Sequence, residues 1–298
     1  MAKRSSGKRS VLVALRGCGF RFFRFLRVAW WGHVVGMRYN QRLQKSIART
    51  GSRLCVGLDP RPGDGGVDSA RDFLTRVIEE TALWAAAFKP NMAYFEAMGS
   101  KGVELLGELL AVIPDDVPVI LDAKRSDIGE TQKYYAQGYF ENWKVDAVTL
   151  NPFLGYDSIE PFLDWEGKGI YLLAVTSNAG SADFQRQKLA DGRDVFELVT
   201  ALGERAKSEQ RKTDVGYVVG LTNAGDVLPR IPADAPLLVP GLGAQGGALD
   251  DLVGAARHAP DVINVSRGIL YAADDLGFGA RARKWADQIS ASYPPAGQ

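Results

Sequence analysis

The sequence predicts an α/β fold: a single-domain (β/α)8 TIM barrel carrying a basic N-terminal extension. Three observations predict it. Eight short apolar runs recur between residues 53 and 292, each followed by a stretch of helical character. The runs are continuous rather than alternating, as strands buried on both faces of a parallel sheet require. The chain has 298 residues, enough for one barrel of about 250 residues.

The first strand is Leu54–Leu58, followed by helical periodicity from Asp68 to Trp84. Ala86–Phe88 is the second strand and Val103–Ile113 its helix. Val119–Leu121 is the third, with a helix near Thr131–Phe140, and Asp146–Leu150 the fourth, with a short helix at Ile159–Leu163. Ile170–Val175 is the fifth. A polar segment from Ser177 to Asp194 separates it from the helix Val195–Ser208; this segment reads equally as a lid, an active-site wall or a plain surface insertion. Val215–Val219 with Ala224–Leu228, Leu237–Val239 with Leu249–Arg257, and Val262–Val265 with Phe278–Ser292 complete the eight units.

Composition narrows the chemistry. A hydrophobic share of 46% and a charged share of 24% are those of an ordinary soluble globular protein. Cys18 and Cys55 supply no disulfide framework or metal cluster, and fit a cytoplasmic setting. With two histidines, His33 and His258, acid–base work falls on Asp, Glu and Lys. The net charge of +1 hides an asymmetry, since residues 1–36 hold eight Lys/Arg and no Asp/Glu. The remainder is acidic, which argues against nucleic-acid binding.

The division expected is therefore 1–36, a basic aromatic extension, and 37–298, the barrel. No apolar run of about 18 residues or more in the extension escapes interruption by arginine, as at Arg21, Arg24 and Arg27, so no spanning helix is expected. A membrane-surface or targeting helix, a nucleic-acid arm and an upstream extension preceding a true start at Met37 all fit. The last is preferred, because Arg38–Leu43 opens an amphipathic helix directly after Met37.

The most informative segment is Asp122-Ala123-Lys124-Arg125-Ser126-Asp127, at the end of the third strand. Strand alternation turns Asp122 and Lys124 to one face, and Asp127 falls in the loop before the next helix. A lone Asp-x-Lys is usually a structural ion pair. Here the strand ends repeat the pattern. Asp59 follows strand one, Lys89 strand two, Thr176-Ser177-Asn178 strand five, Gly241–Gly247 strand seven and Ser266-Arg267-Gly268 strand eight. Active sites of such barrels lie at these C-terminal ends, with phosphate bound by the loops after strands seven and eight. Glycine amides there can approach an anion, Gln245 can donate to it, and Arg267 can grip it through two parallel hydrogen bonds.

These residues resemble the orotidine 5′-monophosphate decarboxylase family, in its longer bacterial branch. The matching blocks are Leu58–Pro62, Phe88–Asn91, Asp122–Gly129, Pro240–Gly247 and Ser266–Gly268, in family order, over about residues 38–292. Ser126 departs from the glycine often found there, and removes no catalytic group.

The resemblance implies decarboxylation of orotidine 5′-monophosphate to UMP, with no metal or organic cofactor. It makes Lys124 the stabilising cation and proton donor, and Asp122 its partner beside the departing carboxylate. Lys89 and Asp59 would hold the ribose hydroxyls, Ser177 the pyrimidine edge, and Gln245, Arg267 and Gly268 the phosphate end. It also implies a homodimer with shared active sites, in which Asp127, followed by Thr131, reaches into the partner's site. For Asp127 the rival reading is a helix cap. Two other functions compete: a magnesium-dependent sugar-phosphate decarboxylase or aldolase of the same barrel superfamily, and a non-catalytic phosphate-binding barrel or membrane-tethered scaffold.

Overall fold

A computed structural model describes residues 36–61, 63–220, 222, 224–242, 249, 252 and 257–293. The extension, the loop carrying Gln245 and most of the predicted helix 249–257 lie outside the described residues. Eight parallel strands form one sheet: β1 (Leu54–Leu58), β2 (Ala87–Pro90), β3 (Ile120–Arg125), β4 (Ala147–Leu150), β5 (Gly169–Val175), β6 (Asp214–Val219), β7 (Leu237–Pro240) and β8 (Val262–Val265). Their order is β2-β1-β8-β7-β6-β5-β4-β3. Parallel bridges Phe88↔Val119 and Asn91↔Asp122 join β2 to β3 and close the barrel.

Alternation along the strands sorts side chains into two cores. The inward set takes Cys55, Ala87, Ile120, Ala147, Tyr171, Val218, Leu238 and Val262, one from each strand. The outward set packs against the surrounding helices, chiefly Gly66–Thr81, Gly99–Leu110, Val195–Ser208 and Phe278–Ser292. Two-sided burial is why the strand sequences read as unbroken apolar runs.

The amphipathic helix expected after Met37 is present as Tyr39–Thr50. Its apolar face supplies Tyr39, Leu43 and Ile47 to the inward core, so it closes the N-terminal end of the barrel. The Tyr39 and Tyr171 hydroxyls lie 3.0 Å apart in the interior. Gly169 is needed for this approach, since a Cβ there would stand 2.4 Å from the Tyr39 ring. The helix is pinned by Arg42 to Asp146 (2.5 Å) and by the Asn40 amide donating to Asp214 (2.8 Å).

Several boundaries differ from the sequence reading. The helix after β3 runs Gly129–Gln137 and continues as a π turn over Gly138–Asn142. The one after β4 is Tyr156–Ile159, extended by a 3-10 turn at Glu160–Phe162. The segment Ser177–Asp194 holds a 3-10 helix, Ala179–Asp183. Short helices Met92–Glu96 and Arg267–Leu270 were not expected. All are single-turn features or ends, where local side-chain bonds rather than periodicity decide.

Candidate active site

β3 runs four residues beyond the predicted end at Leu121, and its regularity fails where the charges sit. Leu121 pairs with Val148, but the next partners are Arg125 and Leu150, so β3 advances four residues while β4 advances two. Such bulges cluster beside active sites, where they re-aim side chains. Within the bulge Lys124 has φ 47°, a left-handed backbone for a long L side chain. This conformation costs about 1–3 kcal/mol and persists only where its surroundings over-determine it.

The surroundings do so. Asp122, 9% exposed, is the hub. Its Oδ1 accepts the Lys124 ammonium at 2.5 Å and the Thr149 hydroxyl at 3.0 Å. Its Oδ2 accepts the Lys89 ammonium at 3.0 Å and the Asn91 amide at 3.5 Å. Thr149 Oγ1 in turn accepts the Lys124 backbone N–H at 2.9 Å. On the outer side Arg125 donates to Tyr139 Oη at 2.5 Å and pairs with Glu96, anchoring the strand end.

The two lysines differ in setting. Lys89 is 4% exposed, whereas the Lys124 side chain is 45% exposed and reaches the open mouth. Burial alone would lower the Lys89 pKa; the fields of Asp122 and then Asp59 outweigh it and raise it above the ordinary lysine range. Burial alone would raise Asp122; Lys89 and Lys124 outweigh it and hold the carboxyl far below the usual carboxylate range. Beneath them Cys55 is buried, and its thiol is pushed up to about 12 by desolvation. Lys89 and Asp122 therefore stay ionised, and the interior thiol stays neutral, from roughly pH 5 to 10.

The β1 and β8 side of the mouth is polar and unsatisfied. Asp59 Oδ1, Asn264 Oδ1 and Ser266 Oγ are buried atoms with no hydrogen-bond partner among the described residues. Buried polar groups are normally paired, so three such atoms on adjoining strands suit a polar ligand. Arg267 is exposed and opens the helix Arg267–Leu270. Gly268 has a packing reason of its own: a Cβ would stand 2.9 Å from the Trp285 indole, whose Nε1 donates to the Gly268 carbonyl at 3.2 Å.

Ser177 lies past β5, half-buried, and its carbonyl accepts the Thr222 hydroxyl at 3.0 Å. The segment after it is fastened. The Thr176 amide donates to Gln185 Oε1 at 2.7 Å, Arg186 pairs with Asp226 at 2.8 Å, and Asp194 takes Lys188 at 2.7 Å and also Arg230. Asp127 makes no ion pair with a described residue of its own chain; its Oδ1 accepts the Ile128 amide at 2.8 Å, at the start of the helix that carries Thr131 in its first turn.

The structure thus gathers Lys89, Asp122 and Lys124 into one array and sets Asp59 close enough for its charge to act on Lys89. Asp127 makes no hydrogen bond or ion pair with these residues of its own chain, and Gln245 is outside the described residues. The sequence reading missed Thr149, Asn91, Asn264 and Ser266 as site residues. Asn91 and Ser266 stood inside quoted motifs, and Thr149 and Asn264 are the polar letters in otherwise apolar strands, which was the available signal. Among the described residues no three His, Cys, Asp or Glu side chains are grouped to hold a metal ion.

Comparison with known proteins agrees with this geometry. A family model described as orotidine 5′-phosphate decarboxylase / HUMPS family matches residues 52–281. The orotidine 5′-phosphate decarboxylase of Methylibium petroleiphilum is 42% identical over 266 residues, covering 83% of this chain and 95% of its own. That of Paracidovorax citrulli is 44% identical over 265 residues, with the same coverage of 83% and 95%. Among solved structures, Leishmania donovani OMP decarboxylase superposes with TM-score 0.75 at 36% identity, over 86% of this chain and 98% of that one. Leishmania donovani UMP synthase gives 0.78 at 37% identity, over 86% of this chain and 56% of that longer protein.

Proposed function

The chain belongs to the orotidine 5′-phosphate decarboxylase / HUMPS family, and from that premise we propose how its residues convert orotidine 5′-monophosphate to UMP and CO2, the last step of de novo pyrimidine synthesis. The observation that carries the reading is the Lys89–Asp122–Lys124 array at the barrel mouth, with one ammonium buried and the other presented to ligand.

The C6–carboxylate bond breaks, CO2 leaves, and the electron pair remains on C6. The Lys124 ammonium meets that charge and donates its proton to C6, and solvent then reprotonates the amine. Because the cation is fixed before the reaction, little reorganisation is needed as charge develops. Asp122 orients Lys124 and keeps the charges alternating. Lys89 and the Asp59 oxygen that has no partner among the described residues suit the ribose hydroxyls. Ser177 serves the pyrimidine edge, and Arg267 with Gln245 and Gly268 the 5′-phosphate, whose binding energy can be spent at the distant carbon.

No metal or organic cofactor is part of this reading. Both oxygens of Asp122 are occupied by ammonium groups. Turnover is expected to survive excess EDTA undiminished; loss restored by added magnesium would favour the sugar-phosphate alternative. The direct test follows the absorbance of orotidine monophosphate, which should decay with the wild-type chain and persist with Lys124→Ala.

Among the described residues Asp127 makes no ion pair and accepts only the neighbouring Ile128 amide, which supports a homodimer in which that carboxylate serves the partner's site. Lys124→Ala and Asp127→Ala chains, each nearly inactive alone, should recover activity when mixed, because half-sites combine to give one intact site per mixed dimer. No recovery, with mixed dimers verified by mass, would argue against sharing. No described helix is long and apolar enough to cross a membrane, and the reading places the enzyme in the cytoplasm, with neither membrane nor nucleic-acid partner.

A further inference from the structure

We infer that Thr149 is a positioning residue for the decarboxylation proposed above, on which this inference rests: its hydroxyl sets the backbone of Lys124 and thereby aims the ammonium. The bulge in β3 creates the need. Between the paired residues Leu121 and Arg125, β3 carries more residues than β4 can match, so regular ladder bonding stops where Lys124 sits. A buried N–H left without an acceptor is costly.

Thr149 fills that gap from β4. It is 0% exposed. A hydroxyl has one donor and two acceptor sites, and here it both accepts the Lys124 N–H (2.9 Å) and donates to Asp122 Oδ1 (3.0 Å). The same Oδ1 receives the Lys124 ammonium at 2.5 Å. A closed ring results: Lys124 amide, Thr149 hydroxyl, Asp122 carboxylate, Lys124 ammonium. The lysine is held at its backbone and at its tip by groups that also hold each other. This ring accounts for a left-handed residue in mid-site, and the single hydroxyl oxygen takes both roles at once. A β-branched side chain with few rotamers further limits where that hydroxyl can point.

The test uses the full-length chain. Thr149→Val keeps shape and branching and removes the hydroxyl; Thr149→Ser keeps the hydroxyl; Thr149→Ala is a second hydroxyl-less variant, assayed at low temperature should Val not fold. The expected result is a fall in kcat of about 10- to 100-fold for Val or Ala, the range for loss of a partner that orients a catalytic group. KM should move by less than about threefold, and Ser should recover most of kcat. Independently of activity, hydrogen exchange at the Lys124 amide should accelerate in the hydroxyl-less chains and not in Ser. A folded Val or Ala variant with wild-type kcat, a Ser variant as slow as Val, or failure of both hydroxyl-less chains to fold would each overturn the proposal. A wild-type chain that does not decarboxylate orotidine monophosphate would remove the functional reading instead, while the exchange measurement still reports on the ring.

Discussion

Lys124→Ala is expected to lower kcat for orotidine monophosphate by about 10⁴- to 10⁷-fold, because one side chain supplies two effects: proton donation, typically 10²–10⁴, and preorganised charge stabilisation, typically 10²–10³. The loss should appear in kcat far more than in KM, since the stabilised charge exists only in the transition state. Lys124→Arg should not rescue, because a guanidinium keeps the charge but does not release its proton. The variant should fold, as the side chain is 45% exposed and Asp122 retains Lys89, Asn91 and Thr149. Single-turnover absorbance decay with purified chain is the measurement. A residual kcat within tenfold of wild type would remove Lys124 from the chemistry.

The second large effect lies at the other end of the barrel. Asp261, 0% exposed, accepts from Arg257 Nε, the Leu237 amide and the Tyr293 hydroxyl, each at 2.8 Å. Arg257 is itself buried. Asp261→Ala would strand a buried guanidinium, an amide at the start of β7 and a phenol together. The expected destabilisation is about 3–5 kcal/mol, the range for removing one partner of a buried pair. It should show in the urea midpoint at unchanged slope, with turnover per folded molecule retained. A loss below about 1 kcal/mol would mean that solvent or a rearranged Arg257 replaces the carboxylate.

The parts of this molecule that follow one strand or one helix at a time were legible in the sequence. Doubly covered strands show as apolar runs, and the repeated placement of Asp59, Lys89, Asp122 and Arg267 after such runs marks one end of the barrel. What depends on two distant segments was not legible. Alternation correctly brought Asp122 and Lys124 together, but the means is a bulge and a left-handed residue held by Thr149, 25 positions away. The amphipathic face of Tyr39–Thr50 was readable; its target was not, because Tyr171 lies 132 positions on. Asn264 is a polar letter in an apolar strand, and its meaning rests on a side-chain oxygen that is buried and has no partner among the described residues.

The irregular end of β3 also limits how far its chemistry can be moved. Its six letters acquire their shape from Thr149 on the next strand, from Lys89 and Asn91 on the one before, and from Glu96 and Tyr139 on flanking helices. Grafted alone into another eight-stranded scaffold, the motif would straighten into an ordinary ladder and lose its aim. A transplant would have to carry at least three neighbouring segments as a unit, and inheritance of the activity by exchange of a single strand is correspondingly closed off.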